Sequence, residues 1–275
     1  MPEGPEIRRA ADQLGRALHT QVVERVEFFH EHLKSFEKTL NRQQVTRFET
    51  RGKALLTRFA NGWTIYSHNQ LYGKWLVCKP NQAPATNRQL RLGLYARDAW
   101  LLLYSASDIA VLNDQGVAEH PFLRKLGPDI LSEKPSPSSL SARLNSSAFS
   151  GRAIAGVLLD QGFAAGLGNY LRSEILFRAR VNPRRRARDL SSTERQVLAV
   201  EIIQTSAQAY RERGVTNDLQ RAKEMKRDGY TFEQYRFWVF ERDGLDCYRC
   251  ASTIVREVES SRRIYHCPTC QPMPS

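Results

Sequence analysis

Ile7, Ala11, Leu14 and Leu18 recur at three- and four-residue steps, with Arg8, Arg9, Asp12 and Arg16 between them. That spacing lines up one apolar stripe on a helix that begins just behind the first residues, with Pro5 tolerated in its first turn. From Val22 to about Leu112 the pattern changes to short β-branched and aromatic runs separated by turn signals. Asn61-Gly62 separates KALLTRF from WTIYSHN, and Arg97-Asp98 separates LRLGLYA from WLLLYSA, so both stretches read as hairpins. Strands in series without intervening helices predict an antiparallel sandwich or barrel, not a parallel sheet. Cys78, at the end of Trp75-Leu76-Val77, reads as a buried strand residue.

The Ser- and Pro-rich stretch SEKPSPSSLS at 132–141 is expected to be a linker. Beyond it AIAGVLLDQGF, NYLRSEILFRA and TERQVLAVEIIQTSAQAYRER carry helical spacing, with Gly162, Gly166 and Gly168 breaking the first two apart. Residues 214–232, GVTNDLQRAKEMKRDGYTF, are expected to form a mobile, charged loop. From about 235 the chain returns to strand-like material. The domains expected are 1–122, a linker at 123–150, a helical domain at 151–234 and a small cysteine-bearing module at 235–275.

A chain of 275 residues suits two domains. No run approaches the roughly 18–20 apolar residues that a membrane span needs, and the acidic start lacks a signal peptide's apolar stretch. A soluble, cytoplasmic protein with no membrane partner is therefore expected. Charge narrows the field further: 41 basic against 29 acidic residues leave a net charge of +12 and a pI near 9.7. Such an excess favours a polyanionic partner, because neutralising phosphates releases counterions. Arg8, Lys53, Arg184, Arg185, Arg186 and Arg262 are scattered along the chain, which implies a folded basic surface and not a disordered arm.

Four of the five cysteines stand near the end as Cys247-x-x-Cys250, sixteen residues, then Cys267-x-x-Cys270. Each pair sets two thiolates on a tight turn, and two such turns close a tetrahedron around zinc. Disulfides would leave one cysteine over in a chain without a secretion signal, and a redox pair would not need a second copy. Four protein ligands leave no open position, so one structural zinc is expected, bracing a hairpin too small to fold alone. Ser260-Ser261-Arg262-Arg263 lies between the pairs, where an arginine at the hairpin tip can meet a phosphate or simply be solvated.

Three other stretches are weak singly. QGFAAGLGNYL at 161–171 leads glycines into a helix start at Asn169, suited to a phosphate or to ordinary helix packing. Lys53 follows Arg51-Gly52 at a strand start, where a solvated edge lysine is the simpler reading. Gln70, Leu71 and Tyr72 occupy a loop whose apolar side chains either pack in a core or wedge between bases.

Taken in order, however, MPEGPE at the start, RGK at 51–53, SHNQLYG at 67–73 and HPFLRKLGPD at 120–129 form a set. LLDQGFAAGLGNYLRSEIL at 158–176 and the paired cysteines complete it. Together they resemble the formamidopyrimidine-DNA glycosylase and endonuclease VIII family over nearly the whole chain. The Glu-Gly-Pro-Glu opening and Gln-Leu-Tyr loop look like the endonuclease VIII branch, whereas the 8-oxoguanine branch usually opens Pro-Glu-Leu-Pro-Glu and carries Met in that loop.

The resemblance implies an α+β protein: a two-layer antiparallel β-sandwich, a helix-two-turn-helix domain, and a β-hairpin zinc finger, with DNA between the two domains. It implies Pro2 as nucleophile once Met1 is removed, Glu3 as acid/base partner, and Lys53 assisting. Lys53, Asn169 and Arg262 would hold phosphates beside the damaged nucleotide, and Gln70, Leu71 and Tyr72 would fill the gap in the duplex. Asp160 and Glu174 also match, with structural roles expected, and Arg263 competes with Arg262 for the phosphate.

The chemistry suits these residues. A terminal secondary amine titrates some two to three units below lysine, attacks C1′, and becomes a cationic iminium that drives elimination. Glu3 would move the protons, and the clamps would hold an everted nucleotide whose unstacking costs a few kcal/mol. The expected function is thus excision of oxidised pyrimidines from duplex DNA with β,δ-elimination, by a monomer with no other cofactor. The same chemistry on oxidised purines and a catalytically silent DNA-binding module are the alternatives. Pro2 and Glu3 discriminate against the latter, which needs neither a free amine nor the adjacent acid.

Overall fold

A computed structural model of the chain describes residues 2–18 and 21–273. Pro2 and residues 6–125 form one compact unit; Glu3–Pro5 and residues 126–273 form the other.

The first unit contains most of helix α1 (Gly4–Leu18), whose Ile7, Ala11, Leu14 and Leu18 are each at most 2% exposed, as their spacing predicts. Then come β1 (Val22–Phe28), a short α2 (Glu37–Leu40), β2 (Gln43–Arg51), β3 (Ala54–Phe59), β4 (Thr64–His68) and β5 (Lys74–Cys78). Strands β6 (Leu90–Ala96), β7 (Trp100–Tyr104) and β8 (Asp108–Leu112) and helix α3 (Asp114–Glu119) complete it. The strands pair antiparallel in the order β5-β7-β6-β1-β2-β3-β4-β8. Strands β1 and β2 pair only at Val22↔Gln44 and Val23↔Gln43, so the sheet divides there into two four-stranded leaves. Val26, Phe28 and Leu94 from one leaf share a core with Leu55, Ile65 and Val111 from the other and with α1. This is the expected two-layer sandwich. Strict alternation fails in β1, where Glu24 and Arg25 are both exposed between buried Val23 and Val26, because a bulge falls at that point. Both expected hairpins form, β3 with β4 and β6 with β7. Cys78 is only half-buried, since β5 is an edge strand.

The second unit departs from the sequence reading in three places. The stretch expected as a linker folds into α4 (Pro137–Leu144), with Leu140 and Leu144 wholly buried. Ser136 Oγ accepts from the Ser139 amide at 3.1 Å and Pro137 takes the first helical position, so a Ser-Pro pair that suggested a linker is a helix start. AIAGVLLDQGF is helical only in α5 (Ile154–Val157). There the Asp160 side chain accepts from the Gly162 amide at 2.8 Å, offering the backbone an alternative to the helix. After α6 (Asn169–Arg178) and α7 (Ser192–Arg211), residues 214–232 are not a loop: they carry α8 (Leu219–Arg227) and the start of α9 (Phe232–Tyr235). Asp218 caps α8 by accepting from the Arg221 amide at 2.9 Å. Only Ala222 of α8 is buried, so no apolar stripe announces the helix. The chain ends in a hairpin of β9 (Val255–Glu259) and β10 (Arg262–His266). Among the described residues no helix is long and apolar enough to cross a membrane.

Glu174 on α6 ties this unit together. Fully buried, it accepts from the amides of Trp238, Val239 and Phe240 at 2.9–3.0 Å and from the Thr216 hydroxyl at 2.6 Å. Asp160 pairs with Arg152 at 2.7 Å, so both acids have the structural roles expected of them. Glu174→Ala would strand three backbone donors, each costing about 1–3 kcal/mol when buried unpaired. Denaturant unfolding should show a loss on the order of 3 kcal/mol or more; a loss below about 1 kcal/mol would contradict the role assigned to this carboxylate.

Candidate active site and nucleic-acid interface

In the second unit the opening residues lie against the start of α6. The Glu3 carboxylate, 3% exposed, accepts from the Tyr170 amide at 2.9 Å and the Leu171 amide at 3.3 Å. These amides are among the donors that a helix N-terminus leaves unpaired, and the helix dipole adds its own attraction for the anion. Gly4 N donates to Gly166 O at 2.8 Å, so the backbone beside Glu3 is fixed as well. Gly168 is required by this close approach, because a Cβ there would sit 2.3 Å from the Glu3 carboxyl carbon. The glycine-rich turn thus receives a carboxylate of the same chain. Pro2, half-buried, immediately precedes Glu3; Met1, whose removal the expected mechanism needs, lies outside the described residues.

Asn169 is the first residue of α6, as expected. Its side-chain oxygen accepts from Arg172 Nη2 at 2.8 Å, which commits that oxygen and leaves the amide NH2 as the end available to an acceptor. Sequence reasoning missed Arg172. It is fully buried and also donates to the carbonyls of Ala155 and Glu259 at 3.3 and 3.2 Å. Its Nη2 reaches the Arg262 and Arg263 carbonyls at 3.4 and 2.9 Å. One guanidinium therefore fixes both the amide of Asn169 and the tip of the β9–β10 hairpin. Burial pushes its pKa down to about 10, against the pull of Glu259 and Glu3, so it stays charged at neutral pH. The only signal in the sequence was a lone arginine three residues beyond Asn169, in a helix whose interior is buried all round.

Arg262 and Arg263 are both exposed at the start of β10, after a turn in which Ser260 and Ser261 take φ of 54° and 61°. Strand alternation puts Arg262 on the face of Ile264, which packs in the same core as Leu171 and Ile175 of α6. The four cysteines stand at the far end of this hairpin, their sulfurs all within 4.8 Å of one another. Sγ separations of 3.9, 3.4 and 3.5 Å join Cys247 to Cys270, Cys250 to Cys267 and Cys250 to Cys270. A tetrahedron with metal–sulfur bonds of about 2.3 Å has edges of about 3.8 Å, so the four thiols fit one metal ion. Gln271 braces the knuckle by accepting from the Cys267 amide at 3.1 Å and donating to Val181 O at 2.8 Å.

The remaining candidates belong to the first unit. Lys53, half-buried, stands with Gly52 in the two-residue turn between β2 and β3, where Arg51 pairs with Ala54. Gln70, Leu71 and Tyr72 form the loop between β4 and β5, and Leu71 and Tyr72 are 57% and 70% exposed. Core packing is thereby ruled out for both. Ala54 pairs with His68, which brings the Lys53 turn alongside the base of this loop.

The family model described as the formamidopyrimidine-DNA glycosylase N-terminal domain matches residues 1–105, and that of the H2TH domain matches residues 126–220. Endonuclease 8 of Salmonella arizonae is 47% identical over 98% of this chain and 100% of its own length, and Endonuclease 8 of Escherichia coli is similar to the same extent. Among solved structures, Lactococcus lactis formamidopyrimidine-DNA glycosylase bound to DNA with an abasic site superposes with a TM-score of 0.80 at 21% identity. It covers 98% of this chain and 100% of that one. The same enzyme bound to DNA with an oxidised pyrimidine gives 0.81, covering 99% and 100%. At this identity the structural likeness shows a common fold.

The Glu3 contact gives a direct expectation. Gly168→Ala must displace the carboxylate; if Glu3 is the acid/base partner that its motif implies, a misplacement on the order of 1 Å costs about 100-fold in rate. Single-turnover cleavage should fall by that order while the far-ultraviolet circular dichroism is kept; an unimpaired rate would remove Glu3 from the chemistry.

Proposed function

We propose that this chain, a member of the formamidopyrimidine-DNA glycosylase and endonuclease VIII family, excises oxidised pyrimidines from duplex DNA through the amine of Pro2. Membership makes it a base-excision repair enzyme, a DNA glycosylase that is also an AP lyase. The residue assignments, the zinc and the duplex substrate are the proposal, and the position of Glu3 carries it: a buried acid anchored beside the residue that would bear the free amine.

In this reading the Pro2 nitrogen attacks C1′ and the bond to the damaged base breaks, while Glu3 protonates the sugar ring oxygen as the ring opens. The resulting iminium is cationic because a secondary amine has no further proton to lose. It acidifies the C2′ proton, whose removal expels the 3′ phosphate by β-elimination; δ-elimination then expels the 5′ phosphate. Two anchoring amides would keep Glu3 aimed through these transfers. Lys53, the Asn169 amide and Arg262 would hold phosphates of the everted nucleotide, and Leu71 and Tyr72 with Gln70 would occupy the gap left behind. Arg262 is favoured over Arg263 by its strand face, which it shares with Ile264 packed toward α6. The four thiolates suit zinc, which would fix the β9–β10 hairpin and take no part in the reaction. A monomer in the cytoplasm, associated with the nucleoid, fits a single-lesion enzyme whose relatives are bacterial. Kinship with Endonuclease 8 favours oxidised pyrimidines over the purine reading.

Borohydride reduction should trap a covalent complex with duplexes carrying an abasic site or thymine glycol, and far less with 8-oxoguanine. A protein whose N-terminus is blocked, by retained Met1 or a tag, should trap none. Absence of any complex on an abasic site would exclude the Pro2 mechanism, and efficient trapping by the blocked protein would place the amine elsewhere. The native protein should contain one zinc per chain. Its removal should weaken abasic-DNA binding about tenfold, the scale of one charge-assisted phosphate contact, and unchanged affinity would remove the hairpin from the interface.

A further inference from the structure

The loop from 69 to 73 is closed by tight local bonds. Gly73 N donates to Asn69 O at 2.7 Å, and a Cβ on Gly73 would lie 2.6 Å from Asn69 backbone atoms, so only glycine permits the reversal. Gln70 takes a φ of 48°, a left-handed conformation unfavourable for a residue with a side chain, which must be held from outside. Two groups hold it. Its amide donates to Nδ1 of His68 at 3.0 Å, and its side-chain oxygen accepts from the Ser107 hydroxyl at 2.8 Å.

We propose that His68 is a positioning residue whose neutral ring holds the 70–72 loop in its duplex-inserting conformation and releases it on protonation. The proposal rests on the wedge reading of Leu71 and Tyr72. An imidazole accepts an N–H only through an unprotonated nitrogen, and a protonated ring offers two donors and no acceptor. The Gln70 amide would then face another donor, and the strained residue would lose one of its two restraints.

The surroundings of the ring set where this happens. His68 ends β4, paired with Ala54 of β3 on one side and Asp108 of β8 on the other, with the Phe122 ring edge-on at 5.2 Å. Burial pushes the His68 pKa below its ordinary value; Asp108 raises it and Lys53 lowers it. Asp108 is itself engaged by the Tyr66 hydroxyl at 3.2 Å, and His120, also pushed down by burial, stacks on Tyr66 at 4.1 Å. The fold thus favours the neutral ring, so the hold is complete at neutral pH and is lost as pH falls through the lowered value, below the usual 6.5. A histidine bound directly to a DNA phosphate would show the opposite sign, because protonation would tighten binding.

The test is a duplex with 2-aminopurine opposite a tetrahydrofuran abasic-site analogue, whose fluorescence reports insertion into the gap, read beside the binding affinity. At about pH 7.5 the wild type should give an insertion signal that Leu71→Ala and Tyr72→Ala reduce, and that signal should be progressively lost as the pH is lowered below the usual imidazole 6.5. His68→Ala should lack most of the signal at both values. His68→Asn should keep it at both, since an asparagine oxygen accepts from the amide two residues on at any pH. A wild-type signal insensitive to pH and to His68→Ala would overturn the proposal, as would tighter binding at low pH with insertion unchanged. Absence of any insertion signal in the wild type at neutral pH would overturn the wedge reading and this proposal together.

Discussion

A guanidinium buried without access to water must find its acceptors in the protein, because desolvating a lone charge costs far more than a fold can spare. Arg172 finds five acceptors for its Nη1 and Nη2, drawn from α5, α6 and both strands of the terminal hairpin, while its buried Nε has no partner. None of these is a carboxylate. Four are backbone carbonyls, whose positions report the path of the chain itself, so the charge constrains main-chain geometry where an ion pair would constrain only a side chain. The proposed phosphate-binding groups at Asn169 and Arg262 inherit their placement from this one side chain.

Helix α6 concentrates such constraints. Glu3 occupies its first amides, Arg172 reaches from it to the backbone of α5 and the terminal hairpin, and Glu174 collects three amides of the segment 238–240. Each is a charged group surrounded by backbone partners, at a net worth of about 1.5–3 kcal/mol per charged hydrogen bond and a larger loss if one partner is removed. Through these three side chains α6 fixes groups on both of its ends.

The sandwich was legible because strand alternation and turn signals are local, and α1 because its stripe is clean. The four cysteines were legible because metal geometry dictates their spacing. What failed to show were features decided at a distance or shared by two local codes. Ser136-Pro137 reads equally as a linker and as a helix cap, and only the burial of Leu140 and Leu144 decides between them. The α8 helix buries little besides Ala222 and so leaves no periodic trace. Pro2, Glu3, Asn169 and Arg262 came from motif resemblance, whereas Arg172 acts through hydrogen bonds to distant backbone that no linear pattern encodes. Glu3 was read from its neighbour in sequence, and its actual partners are 167 and 168 residues away.

The division of the chain has a consequence for how such a protein can be taken apart. Residues 3–5 belong to the second unit although the residues on either side of them belong to the first. Cutting between Lys125 and Leu126, where the H2TH family model begins, would look like a clean separation of modules. The C-terminal piece would nevertheless begin life with the Tyr170 and Leu171 amides bare and an empty space above Gly168. The N-terminal piece would carry an orphaned carboxylate. Neither half is a portable cassette, so recombination between relatives at that boundary must bring a compatible first turn along with the helical domain.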